Sequence, residues 1–201
     1  MLTAFQDFLY NCAISFDLPV LDWIQANLQS GFMDKFMPFI TMFGDAGIFW
    51  MVISALLLIS PRTRKTGLGM AFAMVIGLLV CNVTLKPLVA RTRPYDLQAE
   101  MGVMIQLLCE AQHDFSFPSG HTIASFEAAV VLLKNSKKMG IPAMILAVLI
   151  AFSRLYLYVH YPTDVIVSVI LGTLFAFIGD ALSGLFAPTL GAGRKKGKYE
   201  A

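Results

Sequence analysis

Five apolar stretches, residues 48–60, 67–85, 121–133, 141–158 and 165–186, decide what this chain can become. A helix of about 20 apolar residues crosses a hydrocarbon core. Backbone groups in lipid must be satisfied within the segment itself, which makes helices the spanning element. Charge is correspondingly scarce: 14% of residues are charged and 57% hydrophobic, whereas a soluble domain carries about 25% charged residues. The expected fold is all-α, a polytopic transmembrane helix bundle forming one membrane-embedded domain over residues 1–190, with 191–201 as a basic tail. The formal net charge of +2 implies no bulk affinity for nucleic acid. The bilayer is the partner that the composition implies.

The rest of the chain is less apolar. Residues 2–29 mix Phe5, Phe8, Leu9, Phe16, Leu21, Trp23 and Ile24 with acids and amides, and read as interfacial helices over 1–30 broken at Pro19. They lack a basic leading region, and Asp7, Asp17 and Asp22 interrupt them, so they are not expected to be a signal peptide. Residues 32–43 are short and contain Asp34 and Lys35, which suits a partial or re-entrant first span and six helices in all. Asp45 stands where it can cap the helix that follows. Cys12, Cys81 and Cys109 form no CxxC pair and read as ordinary small residues.

Basic residues set the orientation. Arg62, Arg64 and Lys65, then Lys134, Lys137 and Lys138, then Arg194, Lys195, Lys196 and Lys198 fall on one face if the spans alternate. The positive-inside rule makes that face cytoplasmic. The outer face then receives the 86–120 loop, the end of the span at Arg154, and the turn around His160.

Unusual polar residues collect on that outer face in three runs: Lys86 to Arg93-Pro94, Pro118-Ser119-Gly120-His121, and Ser153-Arg154 followed by His160 and Asp164. Lys86, Arg93 and Arg154 are three cations near one membrane surface, and such clamps stabilise the charge that gathers on phosphoryl oxygens during transfer. Arginine adds a planar fork for two oxygens. Ser119 and Gly120 precede a helix, whose free N–H groups seat anions. With the helix starting near Tyr161 and Pro162, Asp164 can turn back onto His160, fix its tautomer and leave the other nitrogen free to attack.

These runs read K-x6-R-P, P-S-G-H and S-R-x5-H-x3-D, and in that order the sequence resembles the type 2 phosphatidic acid phosphatase family. That family includes undecaprenyl-diphosphate phosphatases and lipid phosphate phosphatases. The resemblance spans Lys86 to Asp164 without a departure. It implies that His160 attacks phosphorus to form a phosphohistidine, and that His121 protonates the leaving oxygen and later activates water. The scheme calls for no metal or other cofactor. It implies a membrane lipid phosphate as substrate: undecaprenyl diphosphate, phosphatidate or phosphatidylglycerol phosphate.

Other readings attach to the same residues. A lone basic cluster would be an interfacial anchor, but Lys86 and Arg93 lie against the positive-inside bias. Arg91 lies outside the signature and is equally a phosphate contact or a surface charge. Glu110, His113, Asp114 and His121 offer metal ligands, at spacings that match no zinc pattern. Asn82 sits one turn before Lys86 and can support the site from behind. Glu127 falls two turns into a span, where a carboxylate is a functional candidate or a hydrogen-bonded bundle group. Asp180 is expected to pair with the basic tail. The same site would serve a lipid phosphotransferase, and its cations alone would serve a non-catalytic lipid-phosphate binder or transporter. Vanadium haloperoxidases share the motifs but are soluble.

Overall fold

The computed structural model describes residues 2–191, with side chains described over 3–186. Among the described residues the chain is helical and turn, without strands. Two N-terminal helices, α1 (Leu2–Cys12) and α2 (Leu18–Leu28), run on through a wide π-helical turn, Ala13–Asp17. Pro19 therefore does not break them: it sits in the first turn of α2, where its missing N–H leaves no donor stranded. After α3 (Met33–Thr41) and a tight turn at Met42–Gly47 comes α4 (Ile48–Ile59). Helix α5 (Arg64–Gly77) opens into a second π-helical stretch, Leu78–Leu85, which leads into α6 (Lys86–Val89). Wide turns of this kind accumulate at functional sites. Short α7 (Pro94–Glu100) follows, so the expected 86–120 loop is partly helical; residues 103–119 carry no helix. The bundle closes with α8 (Gly120–Asn135), α9 (Lys137–Tyr156) and α10 (Pro162–Gly191).

Four helical stretches are long and apolar enough to cross a membrane: Met33–Ile59, Arg64–Glu100, Lys137–Tyr156 and Pro162–Phe186. The first is not straight. The backbone leaves the helix at Asp45 (ψ 119°) and turns left-handed at Ala46 (φ 47°) and Gly47 (φ 67°). Asp34 meets Tyr156, and Asp45 meets His121. Both ends of the 33–47 segment therefore lie at the same end of the bundle, and only α4 continues toward the other. Helix α8 has 16 residues and is buried nearly all round by α5, α9 and α10, as a central helix must be.

Close approaches hold this packing. A Cβ on Gly179 of α10 would lie 2.5 Å from the carbonyl oxygen of Gly69 on α5, so only glycine lets those backbones meet. Trp50, Met70, Phe126, Val131, Ile150 and Ala176 fill the centre. Leu56, Val75, Ile145, Ile170 and Leu174 face outward, as a lipid-facing belt requires. Lys134 pairs with Asp180 at 2.8 Å, at the bundle end opposite α8's first residues. Lys134 is a partner of Asp180 among the described residues; the tail basics, Arg194 to Lys198, lie outside them.

Candidate active site

Every motif residue comes to one end of the bundle because helix starts and ends are stacked there. Helix α8 begins there, α9 ends there, α10 begins there, and the π-helical stretch delivers Lys86 there. A turn locks Arg154 to His160. The backbone N–H groups of Val159 and His160 both donate to the Arg154 carbonyl, at 3.2 and 3.3 Å. Tyr158 takes the left-handed conformation (φ 59°) that lets the chain reverse, a strain of the sort that collects at functional sites. Its hydroxyl donates to Asp22 Oδ1 at 2.6 Å and accepts from Gln98 Nε2 at 2.9 Å, which pins the turn.

His160 is 1% exposed. Its Nδ1 looks toward Asp164 Oδ2 (3.6 Å) and Ser116 Oγ (3.5 Å). Its Nε2 looks the other way, 3.5 Å from Arg93 Nη1, into the cavity. The expected Asp164–His160 pair is therefore adjacent but longer than a hydrogen bond. Ser116 stands beside both and donates to Asp164 Oδ2 at 2.5 Å. Asp164 Oδ2 also accepts from the Tyr161 N–H at 3.1 Å, so it caps its own helix as the third residue of a capping box does. Burial, reinforced by the charges of Arg93, Arg154, Lys86 and His121, holds the His160 imidazolium well below its ordinary titration range. The ring is neutral at neutral pH, as an attacking nitrogen must be.

Of the three expected cations, Arg93 touches that ring, Lys86 lines the same cavity, and Arg154 acts on it through its charge. Arg154, 2% exposed, donates from Nη1 to Thr41 Oγ1 at 2.6 Å, while its Nε and Nη2 have no partner among the described residues. Arg93 is equally buried and donates to the Val159 carbonyl at 2.7 Å. Lys86 and Arg93 both reach Asp114, which the spacing of the sequence did not link to them. Burial works to raise the Asp114 carboxyl, but hydrogen bonds and charge from Lys86 and Arg93 outweigh it and hold it at about 2. Among the described residues no three His, Cys, Asp or Glu side chains converge as a metal site.

His121 faces the cavity from α8. Its Nε2 lies 2.7 Å from Asp45 Oδ1. Asp45 thus does not cap α4, whose cap is Gly47; it partners a histidine instead. Spacing along the chain gave no signal for that, because 76 residues separate the two. Ser119 is buried behind the site, with its N–H donating to Ser168 Oγ at 2.8 Å and its hydroxyl accepting from Thr122 at 3.0 Å. Gly120 lines the cavity, and Asn82 sits beside it, its Oδ1 3.3 Å from where a Gly120 Cβ would be. Glu127 lines the same cavity deeper in the bundle, and its Oε1 has no hydrogen-bond partner among the described residues.

Arg91 is turned away from this cavity. It donates to Asp17 Oδ2 at 2.8 Å and to Asp164 Oδ1, and stacks 3.8 Å over Tyr161. Asp17 also accepts from the Thr163 N–H at 2.9 Å. The N-terminal helices therefore brace the start of α10, a role that their composition did not reveal.

The cavity has a volume of about 560 Å³ and runs from His160, Lys86 and Arg93 past Asn82 and Glu127 to Met51, Ala55, Leu58 and Met74. A charged mouth over an apolar channel fits an anionic head on an apolar chain.

Comparison with known proteins agrees with this architecture. Residues 66–182 match the model of the PAP2 superfamily. An undecaprenyl-diphosphatase of Sulfolobus acidocaldarius is 35% identical over 166 residues, covering 82% of this chain and 77% of the relative. The crystal structure of a transmembrane PAP2-type phosphatidylglycerolphosphate phosphatase from Bacillus subtilis superposes with a TM-score of 0.65 at 26% identity, covering 91% of this chain and 95% of that one. LpxE of Aquifex aeolicus shares the fold, with a TM-score of 0.70 at 24% identity over 82% of this chain and 94% of that one. With its three motifs gathered at one end of a helical membrane bundle, the chain belongs to the PAP2 superfamily and is a membrane phosphatase of that family.

Proposed function

We propose that this protein hydrolyses a lipid phosphate or diphosphate at the outer face of the cytoplasmic membrane, through a phosphohistidine on His160. Arg154 carries the reading: a buried guanidinium whose Nε and Nη2 have no partner among the described residues, and whose charge is felt by His160, calls for an anion with several oxygens. Lys86, Arg93 and the start of α8 at Gly120 supply the rest of the seat. His160 Nε2 attacks phosphorus while the bond to the lipid oxygen breaks, and His121 gives that oxygen its proton. His121 then takes a proton from water, the water oxygen attacks phosphorus, and the P–N bond breaks. Inorganic phosphate leaves and His160 is restored. Asp164 and Ser116 position the far side of the His160 ring, and Asp45 holds His121. Asn82 supports Gly120, and Glu127 lines the path of the chain.

The relative from Sulfolobus is named for undecaprenyl diphosphate and the Bacillus structure for phosphatidylglycerolphosphate. The substrates proposed here are undecaprenyl diphosphate, phosphatidate or phosphatidylglycerol phosphate. The positive-inside arrangement of the 62–65 and 134–138 basics supports an outward site and a cytoplasmic tail.

Phosphate release from these three lipids, measured with chelator present, tests the reading. His160→Ala should lower turnover on the order of 10³-fold or more, while the variant stays folded and still binds lipid phosphate. Turnover retained by His160→Ala removes His160 from the nucleophile role. Release that stops with chelator and returns with one divalent ion overturns the metal-free scheme.

A further inference from the structure

Asp114 holds two of the cations assigned above to the substrate phosphate. Its Oδ1 accepts from Arg93 Nη2 at 2.5 Å and its Oδ2 from Lys86 Nζ, and its backbone carbonyl takes Arg93 Nε at 2.8 Å. The two cations are 2% and 11% exposed, but the carboxylate is 54% exposed. It belongs to the helix-free 103–119 segment and lines the cavity with His121 and His160. A half-solvated side chain on such a segment can be rehydrated when another anion takes over its cations, but leaving them bare would strand two buried charges. A phosphate and the carboxylate cannot both hold Lys86 and the outer edge of Arg93.

We propose that Asp114 is a specificity-determining residue: a tethered carboxylate that occupies Lys86 and Arg93 in the empty site and gives them up to the near-dianion of a phosphomonoester or terminal diphosphate, but not to the monoanion of a phosphodiester. This rests on the phosphate seat proposed above. The contest is between an anion fixed to the protein and one that must be captured from the bilayer. A phosphodiester brings one charge on two free oxygens, which is what the carboxylate already offers, and it must also lose translational freedom to bind. It has no means of winning. A phosphomonoester brings about −1.5 to −2 charges and three acceptor oxygens. It can serve Lys86, Arg93 and the idle donors of Arg154 together. The bulk phospholipids around this protein are phosphodiesters with similar apolar chains, and an unguarded cluster of three cations would fill with them. Competition by a built-in anion rejects them by charge, where chain shape gives no discrimination.

The test is a phosphorus NMR titration of the purified full chain in detergent with inorganic phosphate and, separately, dimethyl phosphate. Native protein, Asp114→Asn, Asp114→Ala and Lys86→Ala are compared. The two Asp114 variants should bind dimethyl phosphate on the order of tenfold tighter than native protein, and their preference for phosphate over the diester should narrow. Phosphatidylglycerol added to a hydrolysis assay should inhibit both variants and leave native protein unaffected. If Lys86→Ala weakens phosphate binding but neither Asp114 variant gains affinity for dimethyl phosphate, the filter is overturned and the phosphate seat stands. If phosphate binding ignores Lys86→Ala, the seat is overturned and the filter with it. Because Asp114→Ala removes the carboxylate without adding an amide, it decides the matter should the asparagine variant not fold.

Discussion

Both terminal nitrogens of Arg91 are committed away from the cavity, Nη1 to Thr163 and Asp164 and Nη2 to Leu9 and Asp17, so it serves as a brace. Asp17 and Asp164 are both fully buried, and Arg91 is their common counter-charge. Removing one member of such a set leaves the others uncompensated in a low dielectric, so Arg91→Ala should cost about 3–5 kcal/mol of stability. A denaturation midpoint measured in detergent checks this, and Asp17→Asn should also destabilise, since the asparagine keeps one acceptor oxygen but turns an NH2 toward groups that themselves donate. The buried His160 ring makes a separate prediction. Its folded-state pKa lies below the unfolded value of 6.5, so the unfolded chain binds the extra proton first. Its contribution to stability is intact above that pH and is lost progressively as pH falls below it. The melting temperature of native protein should therefore fall more steeply than that of His160→Asn in this window, and parallel curves would show that His160 is not the group responsible. Arg91 illustrates how far residue-level reading reaches. Its charge and its place between Lys86 and Arg93 were plain in the sequence, but its direction was not, because the two carboxylates that claim it come from positions 74 and 73 residues away.

Among the elements, α8 is where packing and site meet. Glu127 and Gly77 form a matched pair across α8 and α5: a Cβ on Gly77 would lie 2.0 Å from Glu127 Oε1. Gly77→Ala should therefore displace the carboxyl and destabilise the protein. Contacting residues couple by about 0.5–3 kcal/mol, so Gly77→Ala should be better tolerated in a Glu127→Ala background. A double-mutant cycle on melting reads that coupling, and strict additivity would mean that the two do not share the space. The start of α8 was legible from Pro118-Ser119-Gly120, and the start of α10 from Pro162, because capping and proline chemistry act within one turn. The helical continuity through Pro19 was not legible. A proline reads as a break from sequence alone, and it takes the neighbouring π-helical turn to show the chain running on into a helix that holds Pro19 in its first turn. Asp45 was misassigned for a similar reason: its short-range option was a cap, and its long-range option, His121, was hidden.

At the scale of the whole molecule, alternation of spans puts Arg62, Arg64, Lys65, Lys134, Lys137 and Lys138 opposite the site end. With the topology proposed above, a single cysteine in the 62–65 turn should be shielded from an impermeant reagent added outside intact cells, and one at Met104 should react, being 86% exposed at the site end. The reverse pattern would invert the orientation. Sequence alone sufficed for the membrane solvent, for the helices and for the candidate set of site residues proposed above. Those depend on apolar run length, on end-capping residues and on three short motifs whose members lie within a few residues of one another. Only the tertiary structure decided which side chains meet across elements: Asp45 with His121, Asp17 with Arg91 and Asp164, Ser116 beside Asp164 and His160, and Asp114 on the two cations. The reason is physical. Local preferences act over a turn of chain, whereas these pairs are set by how helices cross, and a crossing is chosen by the packing of the whole bundle.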